Sequence, residues 1–302
     1  MSTGDIVVIV TSFERPRSLA RSLLSLSLQS SLDRLAEVVV ADDGSRDESW
    51  NVVDHFARRS GLPVAYTTHV HAGFQPGRSR NEGAICSTAP YLAFLDGDCI
   101  VPPNFLAVHA ERRRADAVLC GESLRLSQGE SEKVTEDAIR QGNLLPLVGR
   151  LERRRFVRKS RRDRLYSFLR VPMRPRLTSN HFSMWRSDFE RVDGFDLSFR
   201  GWGLEDCDLQ RRLRQIGVRC KTVLPHTTGF HLWHPTVQSF VRRARNTANE
   251  IHYRKPVRSD GSAHVGLPAI DRAEFSIWRW REGTLIEQSL GNNCPPPLAA
   301  AG

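Results

Sequence analysis

Two short, almost wholly aliphatic runs constrain this 302-residue chain more than any other feature, because one of them leads directly into an acidic loop. Residues 5–10 and 37–41 are strand-sized, rich in Val and Ile, and too uniformly apolar to be half exposed, so each reads as a central strand of a buried sheet. The second run ends in Asp42-Asp43-Gly44-Ser45. A further strand pattern at residues 91–95 ends in Asp96-Gly97-Asp98. Helical patterns lie between them: Pro16 stands where a helix begins, followed by a stripe of Leu19, Leu23 and Leu26, and other helices fit residues 47–59 and 78–87. A short strand fits residues 64–67, a helix follows Pro102 and Pro103, and residues 117–120 read as another strand. This alternation predicts βαβ units and a mainly parallel α/β sheet.

The pattern weakens from 128 to 175 and returns after Ser179. Residues 182–185 resemble a strand, and Leu209, Leu213 and Ile216 fall at helical spacing before Gly217, a helix stop. The last residues, 292–302, are rich in Pro, Ala and Gly and read as disordered.

No run approaches the 18 or so apolar residues of a membrane span. Asp5 stands where a signal peptide needs a basic residue, so the chain is expected to remain in the cytoplasm. The six cysteines contain no Cys-x-x-Cys pair, which argues against a zinc knuckle and for reduced, mostly buried thiols. The net charge is +10, and residues 150–176 alone carry twelve basic side chains against Glu152 and Asp163, which accounts for the whole excess. Any contact with a polyanion is therefore local. Phe156, Val157, Leu165, Phe168 and Leu169 are interleaved with these charges, the footprint of a polyanion site or of a membrane-surface helix.

Open parallel sheets bind ligands at the carboxyl ends of their strands, where both acidic loops fall. Carboxylates in such a crevice need a divalent cation or hydrogen-bond donors. The plain alternative is that Asp42, Asp43 and Asp96 cap turns or helices. Two Asp one residue apart arise by chance about once in a chain of this length, and Asp206 and Asp208 repeat the spacing, so the Asp96-Gly97-Asp98 loop draws its weight from position. A third cluster, Gly201-Trp202-Gly203-Leu204-Glu205-Asp206, sets acids at a helix start, where capping accounts for one carboxylate but not for the aromatic and glycine framing. Downstream lie His226, His231 and His234; one His with one or two Asp makes a mixed site suited to manganese, and His231 is selected.

The order of residues 8–13, Ala41-Asp42-Asp43-Gly44-Ser45, Arg78-Ser79-Arg80-Asn81-Glu82-Gly83, Phe94-Leu95-Asp96-Gly97-Asp98 and the Gly201 cluster resembles family-two glycosyltransferases of the GT-A fold. The C-terminal half resembles the galactosyltransferase-type domain of chondroitin polymerases and polypeptide N-acetylgalactosaminyltransferases. The resemblance spans roughly residues 5–235. It implies a single Rossmann-like nucleotide-binding sheet continuous with an acceptor-binding C-terminal half. Thr11, Asp42 and Asp43 would line the nucleoside pocket, Arg78 and Arg80 would approach the diphosphate, and Asp96 would sit near the ribose and metal. Asp98 and His231 would hold Mn2+ or Mg2+, Asp206 would be the general base, and Trp202 and Glu205 would shape the acceptor and donor-sugar pocket. Cys99 stands where a small or acidic residue more often follows the Asp pair.

On this reading the chain divides into a nucleotide-sugar-binding half (1–125), a basic insertion that is flexible or surface-binding (126–178), an acceptor and catalytic half (179–255) and a C-terminal extension with a disordered tail (256–302). The expected reaction is metal-dependent, inverting transfer from a nucleotide-sugar, with UDP favoured by the Asp43 loop, to a glycan or lipid-linked acceptor. Residues 150–176 are expected either to rest on an anionic membrane surface, at the inner face of the membrane, or to form a plain solvated face. The rival readings are weaker. A nucleic-acid binder would need a stacking platform or a recognisable module, and neither is present. A nucleotidyltransferase would need an early Gly-rich phosphate loop with Lys, which the first 130 residues lack.

Overall fold

The computed structural model describes residues 4–235 and 247–292. Its centre is β1 (Ile6–Ser12), flanked by β2 (Leu35–Asp42) and β4 (Tyr91–Asp96), with β3 (Val64–His69) beyond β2. These four strands are parallel, as the βαβ pattern requires. Ile6 to Val10 are wholly inaccessible, and alternate residues enter two cores: Val7 and Ile9 on one face, Ile6, Val8 and Val10 on the other. Helices cover both faces. α1 (Pro16–Ser27), α2 (Ser49–Ser60) and α4 (Phe105–Arg112) supply Leu23, Val53 and Phe105 to one core, and α3 (Pro76–Ile85) supplies Ala84 to the other. Each Val or Ile buried in this way contributes roughly 1.5–3 kcal/mol, so a slipped register, which would swap the two faces, is strongly disfavoured.

The expectation of a mainly parallel sheet holds for these strands and fails beyond them. The complete order is β12-β11-β3-β2-β1-β4-β8-β6-β9, with β6 (Ala117–Cys120), β8 (His181–Trp185), β9 (Arg219–Thr222), β11 (Phe275–Arg281) and β12 (Thr284–Ser289). β8 lies between β4 and β6 and runs antiparallel to both. Residues 275–289, expected to lie in an extension, form a hairpin that pairs antiparallel with β3. Trp278 and Trp280 of this hairpin pack around Trp50, at 4.9 and 5.3 Å between ring centroids. The tail from 293 onward, with Cys294, lies outside the described residues. Of the other cysteines, Cys86, Cys99, Cys120 and Cys207 are buried and free, and Cys220 is half-buried and free.

A second, three-stranded sheet of β5 (Cys99–Ile100), β10 (Gly229–His231) and β7 (Ser123–Arg125) packs over its own core of Ile100, Leu124, Val134 and Phe230. The short helix α5 (Gln128–Glu132) precedes α6 (Glu136–Arg140), which adds Ile139 to that core, and the basic segment forms α7 (Arg150–Leu169). α8 (Arg186–Arg191), α9 (Glu205–Gln215) and α10 (Ala248–Tyr253) follow. Among the described residues no helix is long and apolar enough to cross a membrane.

Inside the fold, His109 Nε2 meets His181 Nε2 at 2.9 Å, and His109 Nδ1 lies 2.6 Å from the Ser183 hydroxyl. Burial pushes both imidazoles down, His181 to about 4. As pH falls from 6.5 towards 4 the unfolded chain binds protons that the folded pair refuses, so stability present above pH 6.5 is lost in that window. In NMR titrations the His181 ring is expected to stay neutral down to about pH 5. A midpoint near 6.5 would contradict the burial argument.

Candidate active site

The carboxyl ends of β1 to β4 gather into one crevice. Thr11 and Asp96 are register partners on β1 and β4, and the Thr11 hydroxyl donates to Asp96 Oδ1 at 3.0 Å. Arg80, on α3, donates from Nη2 to the same oxygen at 2.8 Å, and its Nη1 lies 3.8 Å from Glu205 Oε1. Arg80 is 3 % exposed, its guanidinium stands over the Phe195 ring, and its Nε and Nη1 have no hydrogen-bond partner among the described residues. The acids of the first strands thus meet those of α9 through one arginine. Arg78 does not join them; two residues away on the same helix, it pairs with Glu82 at 2.8 Å and Glu274 at 2.9 Å.

The two acids after β2 face different ways. Asp42 is fully buried and accepts from the Ser45 N–H and hydroxyl, both at 2.6 Å, and from the Thr68 hydroxyl, closing its own loop. Burial pushes its carboxyl up. Asp43 lies 3.0 Å from His69 Nε2 and accepts the N–H of Gln75, at the start of α3, at 3.1 Å. Gly44 is required here: its φ is +82°, and a Cβ would lie 2.6 Å from the His69 carbonyl oxygen. Beside this loop the rings of Phe13 and His71 stack at 4.4 Å.

Asp98 follows a turn in which the Gly97 N–H donates to the Thr11 carbonyl at 2.7 Å, an approach so close that a Cβ would sit 2.8 Å from that oxygen. The β5–β10 pairing then sets His231 opposite Cys99, and the Leu232 N–H donates to the Asp98 carbonyl. His231 Nε2 and His234 Nε2 each lie 3.4 Å from an Asp98 oxygen, and one ligand atom from each of the three residues lies within 4.8 Å of the others. One carboxylate and two imidazoles form a donor set that a divalent transition ion accepts. Burial, joined by the nearby Arg15 charge, holds the His234 imidazole below its ordinary value, towards the neutral ligating form. Arg15 itself donates to Asp98 Oδ2 at 2.9 Å. His226 lies outside the cluster.

The loop before α9 takes positive φ at Gly201, Gly203 and Leu204, and Asn249 pins it through the Arg200 and Gly203 carbonyls. Trp202 is 58 % exposed. Glu205 is buried, and burial with the neighbouring Asp206 charge pushes it up to about 7 despite Arg80. Asp206 accepts the Cys207 N–H and lies 3.9 Å from Arg176 Nη2. Asp208 instead pairs with Arg212 at 2.6 Å along the helix.

Sequence reasoning missed three residues of this region, Arg15, His69 and Glu82, and passed over His234 in favour of His231. His69 ends β3 as Asp42 ends β2, so the strand-end rule applied to every strand would have found it. Glu82 stands within the Arg80 motif, whereas nothing local distinguishes Arg15.

The description of glycosyl transferase family 2 matches residues 7–174, and that of the N-terminal domain of galactosyltransferase matches residues 173–235. The chain belongs to glycosyltransferase family 2. A validoxylamine A glucosyltransferase of Streptomyces hygroscopicus subsp. limoneus is 33 % identical over 223 residues, 70 % of this chain and 48 % of its own length. Polypeptide N-acetylgalactosaminyltransferase 4 of Caenorhabditis elegans is 26 % identical over 216 residues, 70 % of this chain and 35 % of its own. This family-two chain therefore spans about half the length, or less, of these relatives. In fold it resembles the mannosyltransferase PcManGT from Pyrobaculum calidifontis, solved in complex with GDP-Man and Mn2+, with a TM-score of 0.51 and 16 % identity over 72 % of this chain and 54 % of that one. The fold is of the GT-A type.

His69 ties the Asp43 loop to α3 of this family-two sheet, because its Nδ1 also lies 2.7 Å from Glu82. Burial alone would push the imidazole down, but the Asp43 and Glu82 carboxylates outweigh it and lift it to about 9. The stabilising charge is complete below pH 6.5 and is lost as pH rises through about 9. Urea denaturation is expected to show stability falling from pH 7.5 to 10, with a weaker alkaline slope in His69→Gln. Equal slopes would mean that His69 is not charged between the two acids.

Proposed function

We propose that this family-two chain transfers a sugar from a nucleotide-sugar, with UDP the favoured nucleotide, to a hydroxyl of a glycan or lipid-linked acceptor, with inversion. Arg80 carries the reading. A buried guanidinium that is bonded to Asp96 but keeps two nitrogens without hydrogen-bond partners, at the ends of the parallel strands, calls for a further acceptor, and a diphosphate supplies one. The matched family supports transferase chemistry, and the fold neighbour bound to GDP-Man and Mn2+ supports a nucleotide-sugar with a divalent ion.

Thr11 and Asp43 line the nucleoside side, the Asp43 carboxylate being held there by His69, Ser79 and the Gln75 N–H. Asp42, closed onto Ser45 and Thr68, supports that loop from behind. Asp96 holds Arg80 and Thr11 in one arrangement near the ribose. Asp98, His231 and His234 would hold the divalent cation, and two imidazoles would favour Mn2+ over Mg2+. When bound, the cation stabilises the negative charge that develops on the departing diphosphate.

Asp206 takes the proton of the acceptor hydroxyl as it attacks the anomeric carbon, and attack opposite the leaving group inverts that centre. Glu205 shapes the donor-sugar side and steadies Arg80, and Trp202 offers an exposed ring to an acceptor sugar. Arg176 Nη2 stands 3.9 Å from the Asp206 carboxylate.

Thermal-shift measurements with UDP, GDP, dTDP and CMP, each with Mn2+, Mg2+ or EDTA, test the donor and metal assignments. One nucleotide, with Mn2+ present, is expected to raise the melting temperature by several degrees, since saturation at a hundredfold excess over Kd adds about 2.7 kcal/mol. That metal-dependent shift should vanish in His231→Ala and in His234→Ala. No shift with any nucleotide would overturn the reading. Asp206→Asn should lower transfer by at least about a hundredfold while nucleotide affinity changes little. Transfer within tenfold of the native rate would exclude Asp206 as the base and point to Glu205.

A further inference from the structure

Most of the charge excess of this chain lies on α7, a helix about 30 Å long that takes no part in the crevice. Its inner face is anchored: Lys159 pairs with Glu122 at 2.5 Å and with Asp163 at 2.8 Å, and Ser167 accepts the Thr222 N–H of β9. The outer face is open and mixed. Leu151, Val157, Leu165, Phe168 and Leu169 are exposed there, Leu151 at 74 % and Phe168 at 82 %. Between them stand Arg154, Arg158, Arg161 and Arg164, with no carboxylate in ion-pair range among the described residues. Leu151, Arg158, Arg162, Leu165 and Leu169 recur at spacings of seven, four, three and four, which is one line along the helix.

We propose that this face of α7 docks on a lipid bilayer carrying anionic headgroups. An ordinary solvated face would carry the arginines without five large apolar side chains beside them, and a purely electrostatic polyanion site has no use for Leu165, Phe168 and Leu169 at one end. A bilayer interface takes both: guanidinium groups meet lipid phosphates while the apolar side chains enter the boundary between headgroups and acyl chains. The arginine stems extend the apolar area, since their methylenes lie down while the charged ends stay in the headgroup layer. The chain runs on from α7 to Arg176, 3.9 Å from Asp206, so a docked helix keeps the crevice within a few residues of the membrane surface. The docking requires nothing of the transfer chemistry and stands or falls without it.

Co-sedimentation of the full chain with vesicles tests it. The protein is expected to pellet with equimolar phosphatidylglycerol and phosphatidylcholine at low salt, to be released as salt is raised, and to stay in solution with phosphatidylcholine alone. Phe168→Ser/Leu169→Ser should weaken vesicle binding at least about tenfold while leaving binding to heparin unchanged. Arg154→Gln/Arg158→Gln/Arg161→Gln should weaken both. All five side chains are exposed, and circular dichroism of the variants is expected to show unchanged helix content. Failure to pellet with anionic vesicles overturns the proposal, as does equal pelleting of the Phe168/Leu169 variant, which would make α7 a polyanion site.

Discussion

The burial of β1 on both faces is the constraint on which the rest of this molecule depends. Five consecutive side chains without accessible surface fix the register of β1 against β2 and β4. That register places Thr11 opposite Asp96 and Ser12 opposite Asp42. Polar groups appear where the sheet leaves its cores, so the hydrophobic effect, which has no directional preference of its own, decides where the charged groups stand. Gly97 and Gly44 complete the arrangement by letting neighbouring strand-end loops approach closer than any Cβ would allow.

Charges held in such a place must be compensated, and two networks do this differently. Around His69 the compensation is internal: one imidazolium serves Asp43 and Glu82, Arg78 adds a second cation to Glu82, and the loop after β2 is locked to α3. Around Arg80 it is unfinished, with one strong bond to Asp96, a longer approach to Glu205 and two nitrogens unpaired. A buried cation in that state is costly unless a further anion arrives. The contrast separates the part of the crevice that is scaffold from the part that is poised for a ligand.

Most of the first half was legible because long strands and amphipathic helices imprint their period on the chain. The runs at 5–10 and 37–41 became β1 and β2, and the Leu19, Leu23 and Leu26 stripe became the inner face of α1. Strands of two or three residues carry no period, so β5, β7 and β10 were invisible, and with them the small sheet that brings His231 and His234 to Asp98. α7 escaped because its apolar residues lie on both faces, Phe156 inward and Phe168 outward. Arg78 and Arg80 looked alike in sequence, yet helical geometry sends them to opposite sides.

By itself the sequence determined that acidic loops close the buried parallel strands, that a glycosyltransferase-like series of motifs runs from Val8 to Asp206, and that the excess positive charge is confined to residues 150–176. These are local properties, written in side-chain type and spacing. Only the tertiary structure decided which acid faces the crevice and which closes its own turn, which histidines meet Asp98, and which arginine bridges Asp96 to Glu205. The meetings of Asp98 with His231 and His234 and of Arg80 with Glu205 join residues more than a hundred positions apart, set by strand register and by packing across layers, and no short window of sequence contains them.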